Sequence, residues 1–311
     1  MKLDLLVDKE MLKNFILILS ASLIGSLVGF GQGEIVEKAE IRVEVEAVNL
    51  IVAVTNKLGR AVTTLNKNNF RILENGKSQT ITNFGIESNL PLNIALLIDT
   101  SASVKTKLEF EKKAATNFVF AIMHPRDRAM LAEFDTAVTL VSDFTRNPTQ
   151  IASQLKGLQA GGGTALLDAI FVVAKDKLNF PAQRNIAVII SDGLDLDSNY
   201  STREVLQQLQ KNNILVYGIG TNRIGTSENP RGERILNKLS NDTGGRCFFP
   251  YSAEQLHYAF NLIEEEVRSL YSLTYVPNKK ERDGNFRKIK VKLVKAKNLI
   301  VRHRKGYYAP S

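Results

Sequence analysis

The chain has 311 residues, is 44% hydrophobic and carries a formal charge of +9 at pH 7. That length and hydrophobic content suit one large domain or two with a real core, and no repeat or low-complexity segment appears. The lone cysteine, Cys247, excludes an internal disulfide. In Arg246-Cys247-Phe248-Phe249 it reads as a buried structural thiol, the alternative being an exposed thiol that pairs between chains. The positive charge is uneven. Between Val276 and Gly306 stand twelve Lys/Arg and two acids, so the remainder is close to neutral.

In chain order, residues 1–32 come first. Phe15 to Phe30 is uncharged and mostly apolar, follows Lys9 and Lys13, and precedes Gln32-Gly33-Glu34. This pattern is that of a secretory signal peptide, with an uncleaved membrane anchor over residues 15–31 as the alternative. Acidic Asp4, Asp8 and Glu10 are unusual ahead of such a segment, so the start is Met1 or Met11. Either way the protein is expected to be exported, to a periplasmic or extracellular location.

Residues 38–90 read as all-β. Ile41 to Val54 alternates and then turns continuously apolar. Asn75-Gly76 separates Phe70 to Leu73 from Thr80-Ile81-Thr82 and predicts a type I′ hairpin, which needs positive φ at both turn positions.

From residue 91 to 270 strands and helices alternate. Strands are expected at Leu92 to Ile98, Arg128 to Phe134, Ala137 to Val141, Ile186 to Ile190, Ile214 to Ile219 and around Cys247. Helices are expected at Leu108 to Met123, Thr149 to Gln159, Thr164 to Leu178, Thr202 to Lys211, Glu233 to Asn241 and Ala253 to Leu270. Such alternation predicts an α/β fold with a doubly wound, mostly parallel sheet. Residues 271–311 return to strands. In Phe286 to Val294, Lys288, Lys290 and Lys292 alternate with Ile289, Val291 and Leu293, giving one basic and one apolar face. About seven strands in two separated stretches suffice for a β-sandwich, so the α/β domain is expected to interrupt a discontinuous Ig-like sandwich.

Three polar clusters carry the chemistry. Asp99-Thr100-Ser101-Ala102-Ser103 and Ser191-Asp192-Gly193 each follow an apolar run that reads as a buried parallel strand, and Gly162-Gly163-Thr164 lies between them in the sequence. Strand ends of open α/β sheets are where ligands bind. Two carboxylates and three hydroxyls, with no Cys or His, suit Mg²⁺, Mn²⁺ or Ca²⁺ rather than Zn²⁺.

These residues resemble the von Willebrand factor type A (vWA) domain and its metal-ion-dependent adhesion site, whose pattern is D-x-S-x-S, a distant Thr and a distant Asp. Asp99, Ser101, Ser103, Thr164 and Asp192 fill those positions. The resemblance covers roughly Leu92 to Leu270 and implies a Rossmann-like fold. The sandwich layout and the closing Lys305-Gly306-Tyr307-Tyr308 are similar to a bacterial family of secreted proteins with related domains.

The resemblance further implies that Ser101 and Ser103 bind the cation directly and that Asp99 and Asp192 act mostly through water. Thr164 would alternate between the two modes. The cation, Mg²⁺ with Mn²⁺ or Ca²⁺ as alternatives, would keep an open position for an Asp or Glu carboxylate of a protein partner. Thr100, Gly163, Asp195, Asp197, Arg223, Glu228 and Arg231 are the expected recognition residues around it, the last three on the polar segment Thr221 to Arg234. A helper cation site at Asp195 and Asp197 competes with a solvated acidic loop.

No enzyme motif appears. Asp99-x-Ser101 lacks the second carboxylate of an aspartate-nucleophile phosphatase, Gly157 to Thr164 lacks the Lys of a P-loop, and His124, His257 and His303 are scattered. The chain is therefore read as non-enzymatic. The rival is polyanion or cell-envelope binding by the basic C-terminal strands. Nucleic acid is not expected, and membrane contact is expected only if the N-terminal segment is retained.

Overall fold

The computed structural model describes residues 47–86, 90–180, 183–221, 230–279 and 281–310. The expected leader or anchor lies outside them, as do residues 41–46 of the first expected strand, Arg223 and Glu228. Among the described residues no helix is long and apolar enough to cross a membrane.

The order begins β1 (Val48–Asn56), β2 (Phe70–Glu74), β3 (Lys77–Gln79), β4 (Ile81–Ile86) and β5 (Leu92–Asp99). It continues α1 (Leu108–Ile122), β6 (Arg128–Phe134), β7 (Val138–Thr145), α2 (Pro148–Gly157), α3 (Leu166–Val172), β8 (Arg184–Ser191) and α4 (Thr202–Lys211). It closes β9 (Ile214–Gly220), α5 (Pro230–Thr243), β10 (Arg246–Phe248), α6 (Ala253–Val267), β11 (Tyr271–Tyr275), β12 (Phe286–Leu293), β13 (Leu299–His303) and β14 (Gly306–Tyr308).

The central sheet runs β10-β9-β8-β5-β6-β7, parallel except for β7. Its two faces are separated by strand alternation. Leu92, Ile94, Leu96 and Ile98 pack with α1, α2 and α6, whereas Ala95 and Leu97 pack with α3, α4 and α5. Every residue of β5 and β8 is buried, because helices cover both sides. From β5 the chain crosses to β6 on one side and later returns to β8 on the other. The β5/β8 boundary is therefore the point where strand order reverses, which opens a crevice at their C-terminal ends.

Two four-stranded sheets, β13-β1-β11-β4 and β14-β12-β2-β3, combine strands from before and after the central sheet. They share one core that includes Leu50, Val52, Ile72, Tyr271, Leu273, Ile289 and Val291. The Asn75-Gly76 turn has φ of 46° and 82°, as a type I′ hairpin requires. Its partner strand, however, is Lys77–Gln79; Ile81–Ile86 crosses to the other sheet and pairs with β11. A hairpin cue specifies only the two strands it joins, so the crossing was not visible locally. β14 was not expected as a separate strand.

The sheets are fastened to the α/β part. Glu266 of α6 accepts from Tyr217 Oη at 3.0 Å and pairs with Arg302 of β13. Glu265 accepts from the Ala61 amide at 2.9 Å and from Arg60 at 3.0 Å. Arg304 donates to the carbonyls of Gln210 and Asn49, both at 3.0 Å.

His303 is buried between these parts. Its Nε2 accepts from the Val291 amide at 3.0 Å, so Nδ1, 2.7 Å from the Arg304 carbonyl, must carry the proton and donate. Burial, aided by the charges of Lys305 and Arg304 against the Arg304 carbonyl, lowers its pKa from 6.5 to about 4. The unfolded chain thus binds the proton first, and stability present above pH 6.5 is lost as pH falls toward 4. Thermal and urea unfolding should show a loss of about 2 kcal/mol by pH 5. In His303→Gln that part of the pH dependence should vanish; an unchanged slope would assign it to other groups.

Candidate metal centre

β5 ends at Asp99 and β8 at Ser191, side by side in the sheet. The buried Asp99 carboxylate spans the junction. One oxygen accepts from the Ser101 amide at 2.9 Å and the other from the Ser191 hydroxyl at 2.6 Å. Ser191 Oγ in turn accepts from the Gly193 amide at 2.9 Å, and Asp192 accepts from the Leu194 amide at 2.9 Å. Ser101 and Ser103 hydroxyls lie 2.9 Å apart, with Ser103 exposed. The third loop is stitched to the first: Ala102 donates to the Gly162 carbonyl at 3.2 Å, and Gly161 to the Thr100 carbonyl at 2.7 Å. Asp99, Ser101, Ser103, Thr164 and Asp192 are thereby gathered on three adjoining loops.

Two glycines make close approaches, and Gly193 is sterically required because it meets backbone. Gly193 has φ of 77°, and an added Cβ would come within 2.4 Å of the Gly232 carbonyl oxygen. That close approach seats the first turn of α5 against the Asp192 turn. A Cβ on Gly163 would meet the Asp197 carboxylate at 2.0 Å.

The expected recognition residues divide. Thr100 is turned inward, with its hydroxyl donating to the Phe134 carbonyl at 3.3 Å, so it is not placed at a recognition surface. Asp197 accepts from the Thr164 amide at 2.7 Å. Asp195 accepts from Leu167 N at 3.2 Å and from Ser198 Oγ at 2.6 Å. Both carboxylates thus hold the Thr164 loop and the first turn of α3, which starts at Leu166 rather than at Thr164. A purely solvated acidic loop does not describe them. Among the described residues no group of three His, Cys, Asp or Glu forms a metal cluster of its own. Arg231 is exposed but helical: α5 begins at Pro230, not Glu233, because Pro suits a first helical turn.

Other residues at the site have roles that the sequence does not mark. Ser191 bridges Asp99 and Gly193. Thr136 accepts from the Gly163 amide at 2.7 Å. Leu196, between Asp195 and Asp197, is 65% exposed. A turn-forming Ser or Thr gives little warning of such a role in sequence.

Burial raises the Asp99 carboxyl to about 6 against its hydrogen bonds from Ser101 and Ser191, and the Asp192 charge adds to the rise. A divalent cation would reverse that penalty, and an all-oxygen donor set of hydroxyls and carboxylates fits a hard cation. The residues present therefore fit such a group.

Residues 94–194 match the von Willebrand factor type A domain. That stretch holds all five metal-pattern residues. Among curated proteins, none matches the chain. Among solved structures, proximal thread matrix protein 1 from the mussel byssus, with a zinc-occupied metal-ion-dependent adhesion site motif, is 14% identical. It aligns with a TM-score of 0.51 over 64% of this chain and 50% of its own. A further structure of the same protein gives 14%, 0.51, 63% and 51%. BatB from Bacteroides thetaiotaomicron is 15% identical over 57% of this chain and all (100%) of its own, with a TM-score of 0.47. The mussel protein supports the fold alone, and the match spans about half its length.

Cys247 is a free thiol against Gly218, where an added Cβ would lie 2.7 Å from its sulfur. Burial pushes the thiol pKa up, as for a structural cysteine.

Proposed function

We propose that this chain is a non-enzymatic, divalent-cation-dependent protein-binding module. Ser101, Ser103 and Thr164 would hold the cation, with Asp99 and Asp192 acting through its water. The observation that carries this reading is the gathering of these five residues on three hydrogen-bonded loops at the reversal point of a parallel sheet. The cation would supply Lewis acidity toward an Asp or Glu carboxylate of the partner, a charge-assisted contact at the centre of an interface. Mg²⁺ is proposed because it retains waters and accepts neutral hydroxyl ligands, with Mn²⁺ or Ca²⁺ as substitutes. A zinc-occupied site in a protein of similar fold is in keeping with metal binding here.

In this reading the two four-stranded sheets are one discontinuous Ig-like sandwich (residues 38–90 and 271–311) interrupted by the vWA domain (91–270), and residues 1–32 direct export. Exposed Leu196 and Arg231, with Arg223 and Glu228, would contribute recognition beside the cation. Residues 195 and 197 would keep the loop in shape.

A second reading has its own observation. Lys288, Lys290 and Lys292 are all exposed on β12 while Ile289 and Val291 are buried. That face would bind an anionic envelope polymer or lipid.

Affinity capture from the source organism's envelope fraction separates the two. Under the first reading a partner is held in Mg²⁺, released by EDTA, and absent with Asp99→Ala. Capture that persists in EDTA and falls steeply with salt would replace it by the second.

A further inference from the structure

Glu111 lies on the first turn of α1, the helix that follows the Asp99–Ser103 loop, and is 0% exposed. Neither of its carboxylate oxygens has a hydrogen-bond partner. The Thr221 hydroxyl, just past β9, is also buried without a partner. The Thr221 amide donates to the Ser191 carbonyl at 3.0 Å, which places it beside the strand end that carries Asp192.

Glu111 reaches the metal centre electrostatically. Burial raises its pKa from 4.5 to about 8; the Thr221 hydroxyl lowers it, the charge of Asp99 raises it, Lys107 lowers it and Asp192 raises it. The carboxyl is thus fully buried and feels the charge of both acids of the site. Lys107 is the basic group near it, yet neither Glu111 oxygen is hydrogen-bonded to that ammonium. With at most the Thr221 hydroxyl close enough to donate, this buried carboxyl keeps acceptor capacity unused, and a group of this kind is kept where another partner completes it.

We propose that Glu111, with the Thr221 hydroxyl beside it, is a further carboxylate of the metal site, accepting hydrogen bonds from water held by Mg²⁺ or Mn²⁺ and so holding the cation from within the fold. This rests on the metal-binding reading above. Hard cations that keep their waters are bound through such outer carboxylates, and removing one weakens metal affinity about 10- to 100-fold. The role is one of positioning: Glu111 acts on the cation through water.

The test titrates the full-length protein with Mn²⁺, following free Mn²⁺ by electron paramagnetic resonance and bound water by proton relaxation. Glu111→Gln keeps the shape and removes the charge. It should weaken Mn²⁺ binding about tenfold and change the relaxation enhancement of the bound ion, while melting in EDTA at or above the wild-type temperature. Thr221→Val should weaken binding in the same direction. Unchanged Mn²⁺ affinity in Glu111→Gln, with binding abolished by Ser101→Ala, would overturn the assignment of Glu111 and leave the metal site standing. A Glu111→Gln protein that also melts lower in EDTA, with unaltered relaxation, would overturn it too, as the mark of a structural residue. Wild-type protein that binds no Mn²⁺ would remove both readings together.

Discussion

Asp99→Asn should lower divalent-cation affinity about 100-fold while leaving the fold intact. The residue is buried, and its two oxygens are committed to the Ser101 amide and the Ser191 hydroxyl. An asparagine of the same shape keeps one acceptor oxygen but no charge. The cation would then lose a carboxylate that orders its water shell, a change worth tenfold to a hundredfold in other sites. In EDTA the variant also escapes the burial penalty that lifts the Asp99 carboxyl to about 6, so the metal-free protein should melt within a few degrees of wild type. The cation's effect on stability separates the two proteins. At a concentration of 1,000 times the wild-type Kd, ligand linkage adds about 4 kcal/mol, and a hundredfold weaker variant gains only about 1.4 kcal/mol. Melting curves in Mn²⁺ and EDTA read this directly. Equal cation-induced shifts in the two proteins would show that Asp99 does not serve the cation.

Glu266→Ala should destabilise the protein by about 3–5 kcal/mol, a large share of the stability of an ordinary domain. Glu266 is 2% exposed, at the end of α6. Its carboxylate meets the Arg302 guanidinium of β13 and accepts from the fully buried Tyr217 hydroxyl of β9 at 3.0 Å. Alanine would leave a guanidinium and a phenol without their acceptor where water does not readily reach. Replacing the pair together, as Glu266→Leu with Arg302→Met, should recover most of the loss, because no unpaired charge stays buried. Urea unfolding of the two single variants and the double variant measures the coupling. A loss below 1 kcal/mol in Glu266→Ala would mean that the pair adds little beyond its surroundings.

Much of the central sheet could be read from residue order. Leu92 to Ile98 and Ile186 to Ile190 are apolar on both faces, and only a strand covered on two sides accommodates that pattern. Asp99 and Asp192 were therefore placeable at strand ends, and the resemblance of Ser101, Ser103 and Thr164 to the vWA metal pattern implied a metal site there. Helix limits were less well marked. The expected helix at Thr164 starts at Leu166, because Asp195 and Asp197, some thirty residues on, take up the amides of Thr164 and Leu167. The helix expected at Glu233 starts at Pro230, where its first turn packs on Gly193.

Local pattern by itself determined that this chain carries apolar parallel strands ending in oxygen-donor clusters, a type I′ turn at Asn75-Gly76, and a strand with lysines on one face. These follow from side-chain periodicity and backbone preference, which act within a few residues. Only the tertiary structure decided that Ile81–Ile86 leaves its neighbour for another sheet, that Thr100 turns inward, and that Glu111 is buried. In sequence, an acidic residue in a first helical turn reads as a solvated complement to the helix dipole. Its burial depends on α1 lying against a sheet whose strands are far apart in the chain, and no local pattern encodes that packing.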